Sequence, residues 1–300
     1  MKRRDLLCAG LVTGGAFLHG RQRASAAETV LNPLTPPASG TIPVAFLISD
    51  GAVVIDFAGP WEVFQDVMID QRMPFHLYTV AASAKTIHAS GDMQIVPDFT
   101  FANAPRPKVI VVPAQTDDSP VVLDWIRKAS QTADVTMSVC TGAFLLAKTG
   151  LLDGKSATTH HNSYKIFERQ YPKITLKRGA RFVEAGNLAS AGGLTSGMDL
   201  AMRVVERYFG REVAEQNAYY MEYQGDGWKD SSGAANAAYL NVKTRPGYEE
   251  DPVCGMEVKP GALKADYKGA TYYFCMDSCR QRFLKSPDNF LAPTPQRKSM

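Results

Sequence analysis

The chain has 300 residues and five cysteines, with a formal net charge of +3; that length suits one sizeable domain plus a small one. The positive balance comes from the first 27 residues. Without Lys2, Arg3, Arg4, Arg21, Arg23 and Asp5 the charge falls to −1, which removes the electrostatic case for a nucleic-acid partner.

In chain order, Lys2-Arg3-Arg4 opens a twin-arginine start, residues 6–18 are apolar but too short for a resident membrane helix, and Ala24-Ser25-Ala26-Ala27 offers small residues for cleavage. The pattern resembles a Tat signal over residues 1–27. That implies passage through the Tat export machinery to a bacterial periplasm, with an uncleaved N-terminal anchor as the rival. Cys8 lies too early for a lipoprotein cleavage box. No later segment is long and apolar enough to span a bilayer, and no internal repeat is present. Pro33, Pro36, Pro37 and Gly40 mark an extended lead-in over residues 28–41.

A main domain is expected over residues 42–222. Residues 43–48 form a short apolar run of buried-strand type, and residues 59–68 read as a helix with Pro60 near its start. Further strands are expected at 75–81 and 109–113, then a helix at 120–129 on the spacing of Val121, Trp125 and Ile126. An apolar run at 135–139 leads into Cys140, followed by a helical stretch at 144–151. Strand candidates at 157–160 and 187–191 and an amphipathic helix at 195–208 complete the domain. Continuous apolar strands separated by helices predict an α/β fold, a mostly parallel sheet with helices on both faces. Ligands in such folds sit at the carboxyl ends of the strands, where Cys140 lies.

Val139-Cys140-Thr141-Gly142-Ala143 carries the chemistry. A strand turning into a helix on small residues can hold a nucleophile strained and exposed, and the helix aims its first N–H groups at it. The helix dipole then favours thiolate. The competing reading is a buried structural cysteine.

Four motifs occur in order: Val54-Ile55-Asp56-Phe57-Ala58-Gly59-Pro60-Trp61-Glu62-Val63-Phe64; the Cys140 turn; Gly150-Leu151-Leu152-Asp153-Gly154-Lys155-Ser156-Ala157-Thr158-Thr159-His160; and Ala191-Gly192-Gly193-Leu194-Thr195-Ser196-Gly197-Met198-Asp199-Leu200-Ala201. Over residues 42–210 the chain resembles the ThiJ/PfpI superfamily, in the branch holding isonitrile hydratases and the amidotransferase-like sensor domains of AraC-type regulators. The resemblance implies a flavodoxin-like doubly wound fold, a homodimer, no cofactor in the main domain and a small-molecule substrate. The family's isonitrile hydratases imply catalytic roles for Cys140, Thr141 and Asp56. The apolar setting of Asp56 would raise its carboxyl pKa and keep it a usable acid, against a bland role as a helix cap. Thr141 either meets substrate or caps the next helix. Gly59, Glu62, Gly142 and His160 are further pocket candidates. Glu62 and His160 have structural alternatives, a solvated or helix-paired glutamate and a satisfied strand-end histidine. His161 stands where the family commonly has Trp. The residue after the cysteine is Thr141 rather than the His of protease- and deglycase-like members, so a Cys-His dyad built that way is absent. Residues 223–250, rich in Gly, Asn, Asp and Ser, read as a linker or surface loop. The regulator relatives carry a helix-turn-helix after their core, which this stretch does not resemble.

Residues 251–292 change character. Asp251-Pro252-Val253-Cys254-Gly255-Met256, Tyr272-Tyr273-Phe274-Cys275, Cys279, Phe283 and Pro287 resemble a YHS domain, a small treble-clef-like metal-binding module. Cys275 and Cys279, four apart, would face one way on a helix, with Cys254 brought in by a hairpin-like turn. Three thiolates leave a fourth ligand open among solvent, Asp251, Asp277, Met256 and Met276, and the metal open between zinc and copper. A disulfide is the rival. Residues 293–300 read as a disordered tail. Three functions therefore stand: an exported cysteine hydratase or hydrolase acting on isonitriles, a non-catalytic ligand- or metal-binding protein, and a glyoxalase-, deglycase- or redox-stress-type thiol protein.

Overall fold

The computed structural model describes residues 33–230, 236–241, 243–261 and 263–291. The signal-like segment with Cys8, the first part of the lead-in and the tail at 293–300 lie outside the described residues.

Seven strands form one sheet: β1 (Ile42–Leu47), β2 (Phe75–Ala81), β3 (Phe99–Thr100), β4 (Val109–Val112), β5 (Val135–Ser138), β6 (Phe182–Ala185) and β7 (Leu188–Ala191). Their order is β3-β2-β1-β4-β5-β7-β6, parallel throughout except for the β6–β7 hairpin at one edge. β4, β5 and β7 are buried at every position, as expected when helices cover both faces. One face carries α1 (Val54–Gln65), α5 (Ser196–Phe209) and α6 (Arg211–Tyr220). The other carries α2 (Pro120–Ser130), α3 (Gly142–Lys148) and α4 (Tyr164–Gln170). The five central strands follow the doubly wound, flavodoxin-like order.

Two differences from the sequence expectation matter for the site. The first helix starts at Val54, not at residue 59, with Pro60 inside it. Tertiary partners satisfy its early N–H groups: the Val53 amide donates to Ala114 O at 2.9 Å and the Val54 amide to Ser90 Oγ at 3.0 Å. This places Asp56 in the first turn. The strand expected at 157–160 shrinks to Ser156–Ala157, and residues 158–160 run on as an irregular segment beside Cys140.

Residues 223–250 are also not purely a linker. Trp228 is fully buried against the α1/α5 layer, with its indole N–H on Gly225 O at 3.1 Å and the Arg211 guanidinium 5.2 Å from its ring. Further on, the Asn236 amide donates to Gly179 O, and Tyr239 stacks on His161 with ring centroids 4.6 Å apart. One buried indole outweighs a Gly- and Asp-rich composition because it removes a large apolar area from water.

The C-terminal module pairs β8 (Leu263–Tyr267) with β9 (Ala270–Phe274), followed by α7 (Asp277–Lys285). Its core is small: Val253, Phe274, Cys279 and Phe283. Among the described residues no helix is long and apolar enough to cross a membrane.

Candidate functional site

Cys140 has φ +57°, a left-handed conformation that costs a non-glycine residue energy and persists only where neighbours enforce it. The neighbours are visible. Its N–H donates to Gly192 O at 2.8 Å, its carbonyl accepts the Thr159 hydroxyl at 2.9 Å, and the Gly142 amide closes the turn onto Val139 O at 3.0 Å. Gly142 is not a pocket wall. A Cβ there would lie 2.1 Å from Val112 O, so its role is to let α3 press against the end of β4. Gly59 likewise faces packing rather than a pocket, since its Cβ would meet Met198 Cγ at 2.9 Å.

Asp56 is fully buried. Its Oδ2 accepts the Ala114 N–H at 3.1 Å, while Oδ1 has no nitrogen or oxygen partner among the described residues. Burial raises the carboxyl from its ordinary 3.8 to about 7, against the lowering effect of the Ala114 amide and of the Cys140 thiol. Burial also pushes the Cys140 thiol far up, and the adjacent Asp56 charge adds to it. The Thr141 and Leu194 amides and the Thr141 hydroxyl pull the other way but do not prevail. The expectation of a helix-stabilised thiolate is thereby corrected. Desolvation and a facing carboxylate outweigh the few N–H groups of a seven-residue helix, so the resting group is a thiol.

Thr141 makes no side-chain cap on α3; its hydroxyl serves the sulfur instead. Leu194, at φ +52°, is a donor the motif reading did not single out. The Gly192-Gly193 pair before it was the available signal. Glu62 is exposed on α1 and takes no part in this arrangement. His160 lines a cleft of about 190 Å³ together with Thr159, Gly193, Leu194, Arg181 and Tyr239. Its ring lies so near Gly193 that a Cβ there would be 2.3 Å from Cδ2. Burial and the neighbouring His161 lower its pKa to about 4, so it is neutral. Nδ1 accepts the Asn162 amide at 3.3 Å, leaving the proton on Nε2. His160 stacks on His161 at 4.3 Å. A smaller cavity of about 40 Å³ is bordered by Thr141, Asp118 and Lys148 and, from the C-terminal module, by Val253, Cys254 and Arg282.

The second cluster is in that module. Sγ of Cys254, Cys275 and Cys279 and a carboxylate oxygen of Asp251 all lie within 4.8 Å of one another. Cys254 and Cys275 are 3.5 Å apart, and Cys275 and Cys279 are 3.8 Å apart. Zinc–sulfur bonds of about 2.3 Å in a tetrahedron set sulfur–sulfur edges of about 3.8 Å, so the donor set fits a tetrahedral soft or borderline ion. All four cysteines among the described residues are free thiols rather than disulfides. The two later cysteines do not share a helix face as expected. Cys275 directly follows β9 and Cys279 lies in the first turn of α7, and the strand-to-helix corner brings them together. Asp251 joins the cluster while its oxygens accept the Val253 and Cys275 amides at 2.8 and 2.9 Å.

Comparison with known proteins matches residues 43–207 to the DJ-1/PfpI family and residues 250–294 to the YHS domain. An isonitrile hydratase of Pseudomonas putida is 31% identical over 185 residues, covering 60% of this chain and 78% of that protein. The HTH-type transcriptional regulator GbdR of Pseudomonas aeruginosa is 24% identical over 57% of this chain, which spans about half (48%) of the regulator. A solved ThiJ/PfpI family protein from Pseudomonas syringae superposes with a TM-score of 0.56 at 26% identity, over 70% of this chain and 85% of that one.

Proposed function

The chain belongs to the DJ-1/PfpI family and ends in a YHS domain, and from that premise we propose that its main domain is a cysteine-dependent hydratase converting an isonitrile to an N-substituted formamide. One observation carries the reading: a strained thiol facing a buried carboxyl whose pKa is near 7. The proton count suits addition to an electrophilic carbon. As Cys140 sulfur bonds to the isocyano carbon, its proton passes to Asp56, which delivers it to the same carbon, leaving an S-linked thioimidate. Water then adds to that carbon, with a proton passing through Asp56 to nitrogen. The carbon–sulfur bond breaks, releasing the formamide and restoring the thiol. The Thr141 and Leu194 amides and the Thr141 hydroxyl hold charge on sulfur during both additions.

Cys254, Cys275, Cys279 and Asp251 would hold zinc or copper, and the bound ion would supply the cross-link that a module with so small a core needs. The reading extends to Tat export and a periplasmic location, on the evidence of residues 1–27, and to a homodimer, on the family resemblance. It includes no nucleic-acid partner, given a charge of −1 without the signal-like segment.

Turnover is tested by following isonitrile loss and formamide appearance with wild type, Cys140→Ala and Asp56→Asn. Activity in wild type that both variants lose supports the reading, whereas equal rates in all three remove it. A second reading, ligand or metal binding without turnover, is favoured by the low exposure of Cys140, 8%. Saturable isonitrile binding with no formamide would select it.

A further inference from the structure

The metal-ligand loop is also the surface by which the C-terminal module sits on the main domain. Residues 251–256 close on themselves through Gly255 N–H to Asp251 O at 2.8 Å and Asp251 N–H to Met256 O at 2.9 Å. The Cys254 carbonyl accepts the Ser163 hydroxyl. Gly255, at φ +82°, is pressed so closely on the next turn that a Cβ would lie 2.6 Å from Asn162 O and 2.8 Å from Ser163 Cα. That turn continues directly from Thr159, whose hydroxyl holds the Cys140 carbonyl. On the opposite side Arg282 of α7 reaches Asp118 at 2.9 Å, and Asp118 also pairs with Lys148, the last residue of the helix that begins beside Cys140. Arg169 adds a bond to Phe290 O at 2.8 Å. Between these anchors Val253 and Cys254 wall the small cavity that Thr141 borders.

We propose that metal binding in the C-terminal module controls access to Cys140, with the loaded module seated as a cover over the Thr141 side of the thiol and the stripped module released from it. The physical reason is shared residues. A metal tying Cys254 to Cys275 and Cys279 holds the loop in the shape that seats Gly255 on the 162–163 turn. Removing the metal takes the main cross-link from a module with four core residues. The contacts left at the seam, hydrogen bonds and half-exposed ion pairs, are individually weak. The inference rests on Cys140 being the reactive thiol of the preceding section and not on the identity of the substrate.

The test measures carboxamidomethylation of Cys140 by iodoacetamide in the full chain at pH 8, read by peptide mass spectrometry. The protein is compared zinc-loaded, chelator-stripped and zinc-restored. A cover closed about nine-tenths of the time slows labelling about ten-fold. The expected result is slowing of that order by zinc, reversed by stripping and regained on restoration. Arg282→Ala and Asp118→Asn leave all four metal-cluster residues in place, so both are expected to retain zinc yet label Cys140 at the stripped rate. Equal labelling with and without zinc, or full zinc protection in both variants, overturns the proposal. No isonitrile is present in this assay, so a failed hydratase reading leaves it readable. An active hydratase whose Cys140 ignores zinc would sink this inference alone.

Discussion

Replacing Asp56 by Asn should make the protein more stable while removing the proposed hydratase activity, and the gain should depend on pH. The carboxyl's ordinary pKa is 3.8 and burial raises it to about 7 in the fold. Between these values the folded protein keeps a proton that the unfolded chain has lost, so wild-type stability falls as pH rises and levels off above about 7. At about 1.4 kcal/mol per pH unit, the full cost of the buried carboxylate is about 4 kcal/mol. Asn keeps an oxygen for the Ala114 N–H and carries no charge, so the variant escapes that loss. The assay is urea unfolding of both proteins from pH 5 to pH 8, read by tryptophan fluorescence. Trp61, Trp125 and Trp228 all lie outside the C-terminal module, so the signal reports the main domain. The stability difference in favour of the variant should widen by about 3 kcal/mol across that range. His160 and Asp251, also shifted by burial, titrate alike in both proteins and cancel. A difference that stays flat from pH 5 to pH 8 would refute the argument that Asp56 is buried with a pKa near 7.

The same pair sets the reactivity of the thiol. Since the Asp56 charge helps hold the Cys140 pKa up, Asp56→Asn should speed alkylation of Cys140 at pH 8 even as it abolishes hydration; slower alkylation would contradict the assignment. Wild-type hydration should rise as pH increases through about 7 and then level off, because below that pH Asp56 is already protonated and cannot take the thiol proton; a rate that falls through this range would reverse the acid–base roles. Cys254→Ser should lower zinc or copper content in elemental analysis of the purified protein, and unchanged content would remove the metal-site reading. Trp228→Ala should cost about 3–5 kcal/mol in denaturation followed by circular dichroism, whereas a cost near zero would return residues 223–230 to the status of a linker.

Much of the architecture was legible in the chain. The apolar runs before Cys140 and around residues 43–48, 75–81 and 109–113 became central parallel strands within a residue or two. Burial on both faces leaves such strands no polar positions, and the pattern is therefore unambiguous. Where local signals misled, a distant partner was responsible. Pro60 looked like a helix start, but Ser90 and Ala114, far along the chain, satisfy the amides of an earlier first turn. Composition made residues 223–250 look unstructured, although a single indole fixes part of that stretch to the core. Gly59 and Gly142 stand in the same motifs as Asp56 and Cys140. Their close contacts with Met198 and the Val112 carbonyl belong to packing and exist only once strands and helices meet.

The residues themselves determined which groups are candidates for chemistry: a cysteine on a strand-to-helix turn, an aspartate in an apolar segment and three tail cysteines at metal-binding spacing. Those are properties of short stretches, and short stretches carry them. Tertiary structure decided their charge and company. Burial and the approach of Asp56 keep Cys140 a thiol where the helix dipole alone would favour thiolate. Folding also lays the 251–256 loop on the turn that follows Thr159, whose hydroxyl holds the Cys140 carbonyl. Desolvation and contact between segments more than 80 residues apart depend on the whole packed molecule, so neither is written in any local pattern.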